Sequence, residues 1–138
     1  MPFIAGGLAL VLLGAVLGAA GAIAWLSADA HRAQLVDEMS TIPQYTGAQL
    51  TNETASSKFG QASVERSYVP QAAFAALHAF YDNVLSQRGW KAGRLVRFSD
   101  GDSACYTRAD DSALLTVLDN PSATWAWTFS LNWGNAGC

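Results

Sequence analysis

The sequence predicts an α+β protein: one N-terminal transmembrane helix, then a small domain in which one helix packs across an antiparallel sheet. Three observations carry this. Residues 3–26 read FIAGGLALVLLGAVLGAAGAIAWL without a charged side chain, a single helix-period apolar repeat lies within residues 70–90, and short alternating segments after it are separated by turn sequences. The chain divides accordingly into an anchor (residues 1–26), a stalk or linker (27–44) and an extracytoplasmic domain (45–138).

At about 1.5 Å of rise per residue, the apolar segment is long enough to cross a hydrocarbon core of roughly 30 Å. A removable signal peptide is the rival reading, because residues 20–24 (AGAIA) contain small-x-small patterns. The missing basic n-region and the length of the apolar run favour a retained anchor. On a helical projection Gly7, Gly14, Gly18 and Gly21 fall within about 60° of one another. Gly14-x-x-x-Gly18 is a small-xxx-small pattern that admits a second helix backbone to backbone. The expected role of this face is helix packing against membrane-embedded protein subunits. No Asp, Glu, Lys, Arg or His lies in the span, and such residues mark ion and proton paths. Trp25 sits where an interfacial aromatic belongs, and His31 and Arg32 follow at headgroup level.

Residues 27–39 (SADAHRAQLVDEM) have helical composition, so the first helix is expected to run on until Pro43 stops it. In the domain, residues 48–53 form a first strand, and the Ser- and Thr-rich stretch 54–60 reads as a loop. A second strand spans residues 61–68. Pro70 is expected as the first residue of the next helix, whose apolar face comprises Phe74, Leu77, Tyr81 and Val84, with Phe80 and Leu85 alongside. Gly89 closes that helix. Strands over 90–98, 103–108, 113–118 and 124–133 follow, punctuated by SDGD, ADD and DNPS.

In the last strand Trp125, Trp127, Phe129, Leu131 and Trp133 alternate with Ala126, Thr128, Ser130 and Asn132 and are expected on one face. Packing of that row under the helix is the main expectation; its Trp133 end, like Trp25, is a candidate partner or headgroup contact. The only two cysteines are Cys105 and Cys138. A disulfide between them closes a loop of about 34 residues, worth on the order of 3–4 kcal/mol, and requires an oxidising compartment. The domain is therefore expected on the periplasmic or extracellular side of a single-pass cell-membrane protein.

Phe80-Tyr81, Leu85 and Gly89-Trp90 form an F-Y-x3-L-x3-G-W pattern, preceded by Tyr45-x-Gly47-Ala48 and a strand ending at Tyr68. Over residues 43–131 this resembles a small extracytoplasmic α+β domain of bacterial membrane-anchored proteins. The resemblance implies that fold and, among members with a known setting, accessory pieces of larger assemblies. The membrane helix and the cysteine pair depart from the pattern.

The net charge of −3 offers no basic surface for nucleic acid. No catalytic residue, cofactor ligand or metal ligand is assigned: the chain has no convergent nucleophile, base or metal set, no CxxC, and an Asp100-Gly101-Asp102-Ser103 stretch that reads as a hairpin turn. His78 is expected at the boundary of the helix. The expected function is a non-enzymatic, single-pass accessory subunit of a respiratory- or photosynthetic-type membrane complex, docked through its glycine face and bracing the complex with its outer domain. Its expected partners are membrane protein subunits and the lipid bilayer. The alternative is a stand-alone membrane-anchored module that binds a small ligand or protein.

Overall fold

The structure, a computed structural model, describes residues 23, 25–134 and 138. The expected glycine face (Gly7, Gly14, Gly18, Gly21), and with it nearly all of the expected span, lies outside the described residues. Among the described residues no helix is long and apolar enough to cross a membrane.

Helix α1 occupies residues 25–41 and ends just before Pro43, whose ring cannot continue the hydrogen-bond ladder. Strands β1 (Gln49–Lys58) and β2 (Gln61–Val69) form a hairpin, helix α2 (Phe74–Ser86) follows, and β3 (Lys91–Arg97), β4 (Gly101–Arg108), β5 (Asp111–Leu118) and β6 (Trp127–Trp133) form a meander. The six strands make one sheet in the order β1-β2-β6-β5-β4-β3, antiparallel throughout. The α+β class and the antiparallel sheet are as the sequence predicts. The helix count differs, because α1 packs on the sheet alongside α2.

Both helices cover the same face. Register aligns Tyr68 with Trp127, Val64 with Leu131 and Ala62 with Trp133, then Trp127 with Val117, Phe129 with Leu115 and Leu131 with Ala113. These inward side chains, with Leu35, Met39 and Ile42 from α1 and Leu77, Tyr81 and Leu85 from α2, form one core. The aromatic strand lies in the interior of the sheet, where Trp127, Phe129 and Leu131 lose all exposure to water. Tyr81 stacks on Phe129 with ring centroids 4.4 Å apart, and Tyr68 stacks on Trp127 at 4.2 Å. Burial pushes the Tyr81 hydroxyl pKa upward, and the same cause raises Tyr106.

Four local expectations need correction. Residues 54–58 are strand, not loop: Ala55 pairs with Val64 and Lys58 with Gln61, and an edge strand open to water has no alternation to reveal it. Pro70 does not open α2, which starts at Phe74 after Ala73. The chain first crosses the ends of β6 and β5, where Gln71 bonds the Leu118 carbonyl. Two strand spacings are about 10 Å, which takes three or four extended residues. Trp125 precedes β6 and is half exposed instead of continuing the aromatic row. Helix α2 ends at Ser86 with Gln87 as its cap, two residues before the expected Gly89, which at φ 80° closes the following turn, with Trp90 N–H bonded to Leu85 O and Gly89 N–H to Ser86 O.

Candidate functional site

The stretch expected to be a stalk is held to the domain by apolar, polar and stacking contacts. Ala28, Leu35, Met39 and Ile42 are buried, at the spacing of one helical face. Three guanidinium groups from separate elements converge on the C-terminal half of α1. Arg66 on β2 donates to Met39 O at 3.0 Å, and Arg88, just past α2, donates to Thr41 O at 2.6 Å and Thr41 Oγ1 at 2.8 Å. Arg108, at the end of β4, grips Glu38 in a two-pronged pair of 2.8 and 2.6 Å. The last carbonyls of a helix lack intrahelical partners and form its negative pole. Two of these arginines satisfy such carbonyls, and the third neutralises the acid in the same turn.

Arg108 also lies 4.4 Å from the centre of the Trp90 ring and 3.3 Å from Asp111, while Trp90 Nε1–H donates to Glu38 at 3.3 Å. The hydrogen bond with Glu38 raises the Arg108 pKa, against partial burial that lowers it. Arg66 is bonded to Glu53 as a cross-strand pair. Burial alone lowers the Arg66 pKa, but the bond and charge of Glu53 together with Tyr68 leave it raised. Replacing Arg108 by Ala is expected to cost about 2 kcal/mol in urea unfolding, because Glu38 loses its paired charge while part of it remains hydrated. A cycle with Glu38→Ala isolates the coupling of the pair.

Nearer its N-terminus, α1 meets the end of β6. His31 stacks on Trp133 with centroids 3.7 Å apart and planes 10° from parallel, and His31 Nδ1–H donates to Ser27 O at 2.8 Å. Trp133 is therefore half-buried under the protein's own helix. Beside it runs an open groove of about 250 Å³ lined by Ser56, Lys58, Gln61, Ser63 and Asn132, with Trp133 at one wall. Trp25 stands on the first described turn of α1, exposed. Cys105 and Cys138 are joined by a disulfide, Cα atoms 5.8 Å apart. Because Ala104 and Tyr106 face the core, Cys105 faces outward, and the bond fastens Cys138 to the uncovered side of the sheet.

His78 is half-buried on α2, its ring parallel to that of Phe74 with centroids 5.6 Å apart. Among the described residues no group of three or more His, Cys, Asp or Glu side chains is placed to hold a metal ion. The convergence of Arg66, Arg88 and Arg108 has no counterpart in the sequence reading, since the three residues sit on separate elements and share no spacing rule. Glu38, the acid that meets one of them, carried the only local signal, an acid near the end of an amphipathic helix. Comparisons of the chain with family models, with curated proteins and with solved structures find no match.

Proposed function

We propose that this chain is a single-pass accessory subunit of a multisubunit membrane complex of the respiratory or photosynthetic kind, with its domain on the extracytoplasmic side. The observation that carries the reading is the seating of α1. Helix α1 includes the end of the apolar N-terminal sequence and is bound to the rest of the domain by a buried apolar face, by Arg66, Arg88 and Arg108, and by the His31–Trp133 stack. A brace must transmit orientation, so it needs a stiff connection between anchor and domain. A module that searches for soluble partners works best on a flexible linker. In this reading the glycines at 7, 14, 18 and 21 supply the docking face inside the bilayer, and the disulfide suits an oxidising compartment.

Gentle detergent extraction tests the proposal. The native chain is expected to co-migrate in fixed stoichiometry with a much larger complex, and joint Gly14→Leu and Gly18→Leu substitution is expected to release it, because the added side chains hold the partner backbone away. A native chain that migrates as a free monomer overturns the accessory role, and retention of a soluble ligand by that monomer would favour the binding-module alternative.

A further inference from the structure

We propose that the corner of the domain formed by the β1–β2 hairpin tip and the first turn of α1 rests on the lipid surface, with Phe59 as a second interfacial anchor beside Trp25. This deepens the membrane-anchored reading and rests on it.

Phe59 and Gly60 form the two-residue tip between paired Lys58 and Gln61. Phe59 is 65% exposed, a large aromatic at the tip of a hairpin whose edge strand is mostly polar or charged, with Leu50 at its far end and Ala55 as its two apolar side chains. On α1, Trp25 is 56% and Leu26 72% exposed, and Ala28, on the next residues in, is fully buried. On α1 large apolar exposure stops at Ala28, while the other exposed large apolar side chains, Leu50, Leu95, Phe98 and Trp125, lie on the far edge strand or toward the opposite end of the sheet.

One contact brings the two groups together: Ser57 Oγ donates to Asp29 Oδ1 at 3.4 Å. From there the hairpin runs two residues to Phe59, about 7 Å at strand rise, and the helix runs back four residues to Trp25, about 6 Å at helical rise. Both aromatics therefore flank the same corner, and the uncharged residues 1–22 attach to it. The headgroup layer on each side of a bilayer is on the order of 5–8 Å deep, comparable to these offsets. An anchor entering lipid a few residues before Trp25 brings Phe59 to headgroup level.

The neighbouring charges fit the same surface. Lys58 adjoins Phe59, and Arg32, which pairs with Asp29 at 3.0 Å, lies two turns along α1 from Trp25. Aromatic rings flanked by cationic side chains that reach phosphate are the signature of the lipid–water boundary. Among the described residues the exposed apolar side chains here are separate projections and the neighbouring groove is lined mainly by polar side chains, which suits a fluid surface better than a protein partner.

The test uses the full chain in vesicles of phosphatidylcholine and phosphatidylglycerol that carry a doxyl-labelled lipid. Since the native cysteines are paired, Phe59→Cys supplies one free thiol for an environment-sensitive fluorophore, and Asn120→Cys at the opposite end of the sheet is the reference. Both positions are exposed, so labelling leaves the core intact, and circular dichroism checks this. Lipid-borne quenching at position 59 is expected to exceed that at position 120 at least about threefold. Equal quenching at the two sites in chains that remain with the vesicles through an alkaline wash overturns the proposal and leaves the anchor standing. Loss of the chain in the wash overturns both. Shielding of position 59 in native membranes but not in pure lipid vesicles assigns the corner to a protein partner and also overturns the proposal.

Discussion

A fragment that begins at Tyr45 is expected to have no stable folded state, although the sequence places the domain boundary there. Removing α1 strips Leu35, Met39 and Ile42 from the core. Truncating a buried Leu, Ile or Met to Ala costs about 2–5 kcal/mol, so three losses rival the whole stability of a domain this size, about 5–15 kcal/mol. The polar side adds to the loss, because Arg108 and Trp90 give up Glu38, Arg66 and Arg88 give up the helix carbonyls, and Trp133 gives up its cover. Circular dichroism across a urea titration decides the matter. The 25–138 fragment should unfold in one cooperative transition, and the 45–138 fragment should show none. A cooperative transition of similar midpoint in the shorter fragment would falsify the assignment of α1 to the core.

The Cys138→Ser variant is expected to lose about 3–4 kcal/mol, the chain-entropy value for a loop of this length. In urea this moves the midpoint by about 1–4 M for a small protein. The bond fastens the chain terminus to β4 on the side of the sheet that neither helix covers, where Ser103, Ser112, Thr128 and Ser130 are buried among small neighbours and the Ser103–Thr116 hydroxyls bond across strands at 3.0 Å. Reductant should lower the native protein to the level of the variant and leave the variant unchanged. A native midpoint insensitive to reductant would show that the bond contributes nothing. A loss of this size on reduction would favour an oxidising compartment, in line with the proposed side of the membrane.

The proposed brace and the proposed lipid-facing corner depend on one another physically. A domain that can swing on its anchor would reach the bilayer with any surface, whereas a domain fixed at Glu38, Met39 and Thr41 presents the same corner each time. Arg108→Ala, by loosening α1, is therefore also expected to blur the difference in lipid quenching between positions 59 and 120.

Local pattern alone determined much of this protein. Leu77, Tyr81 and Leu85 announced α2 through helical spacing, and Trp127, Phe129 and Leu131 announced an inward-facing strand through alternation, because each period records which side of an element meets the core. Cys105 and Cys138, being the only pair available, had one intramolecular partner each. Other features had no local trace. Residues 54–58 look like a loop because both sides of an edge strand can face water, and only pairing with β2 makes them strand. The α1 residues Leu35, Met39 and Ile42 read equally well as one side of a free amphipathic stalk. Whether such a stripe is buried depends on what the rest of the chain places opposite it, and here that is the far end of the aromatic row. The three arginines that secure α1 come from β2, the end of α2 and β4, so their meeting is a product of strand order and crossover. Tertiary structure alone decided that residues 25–42 are part of the domain, and the proposed function rests on the firmness of that seating.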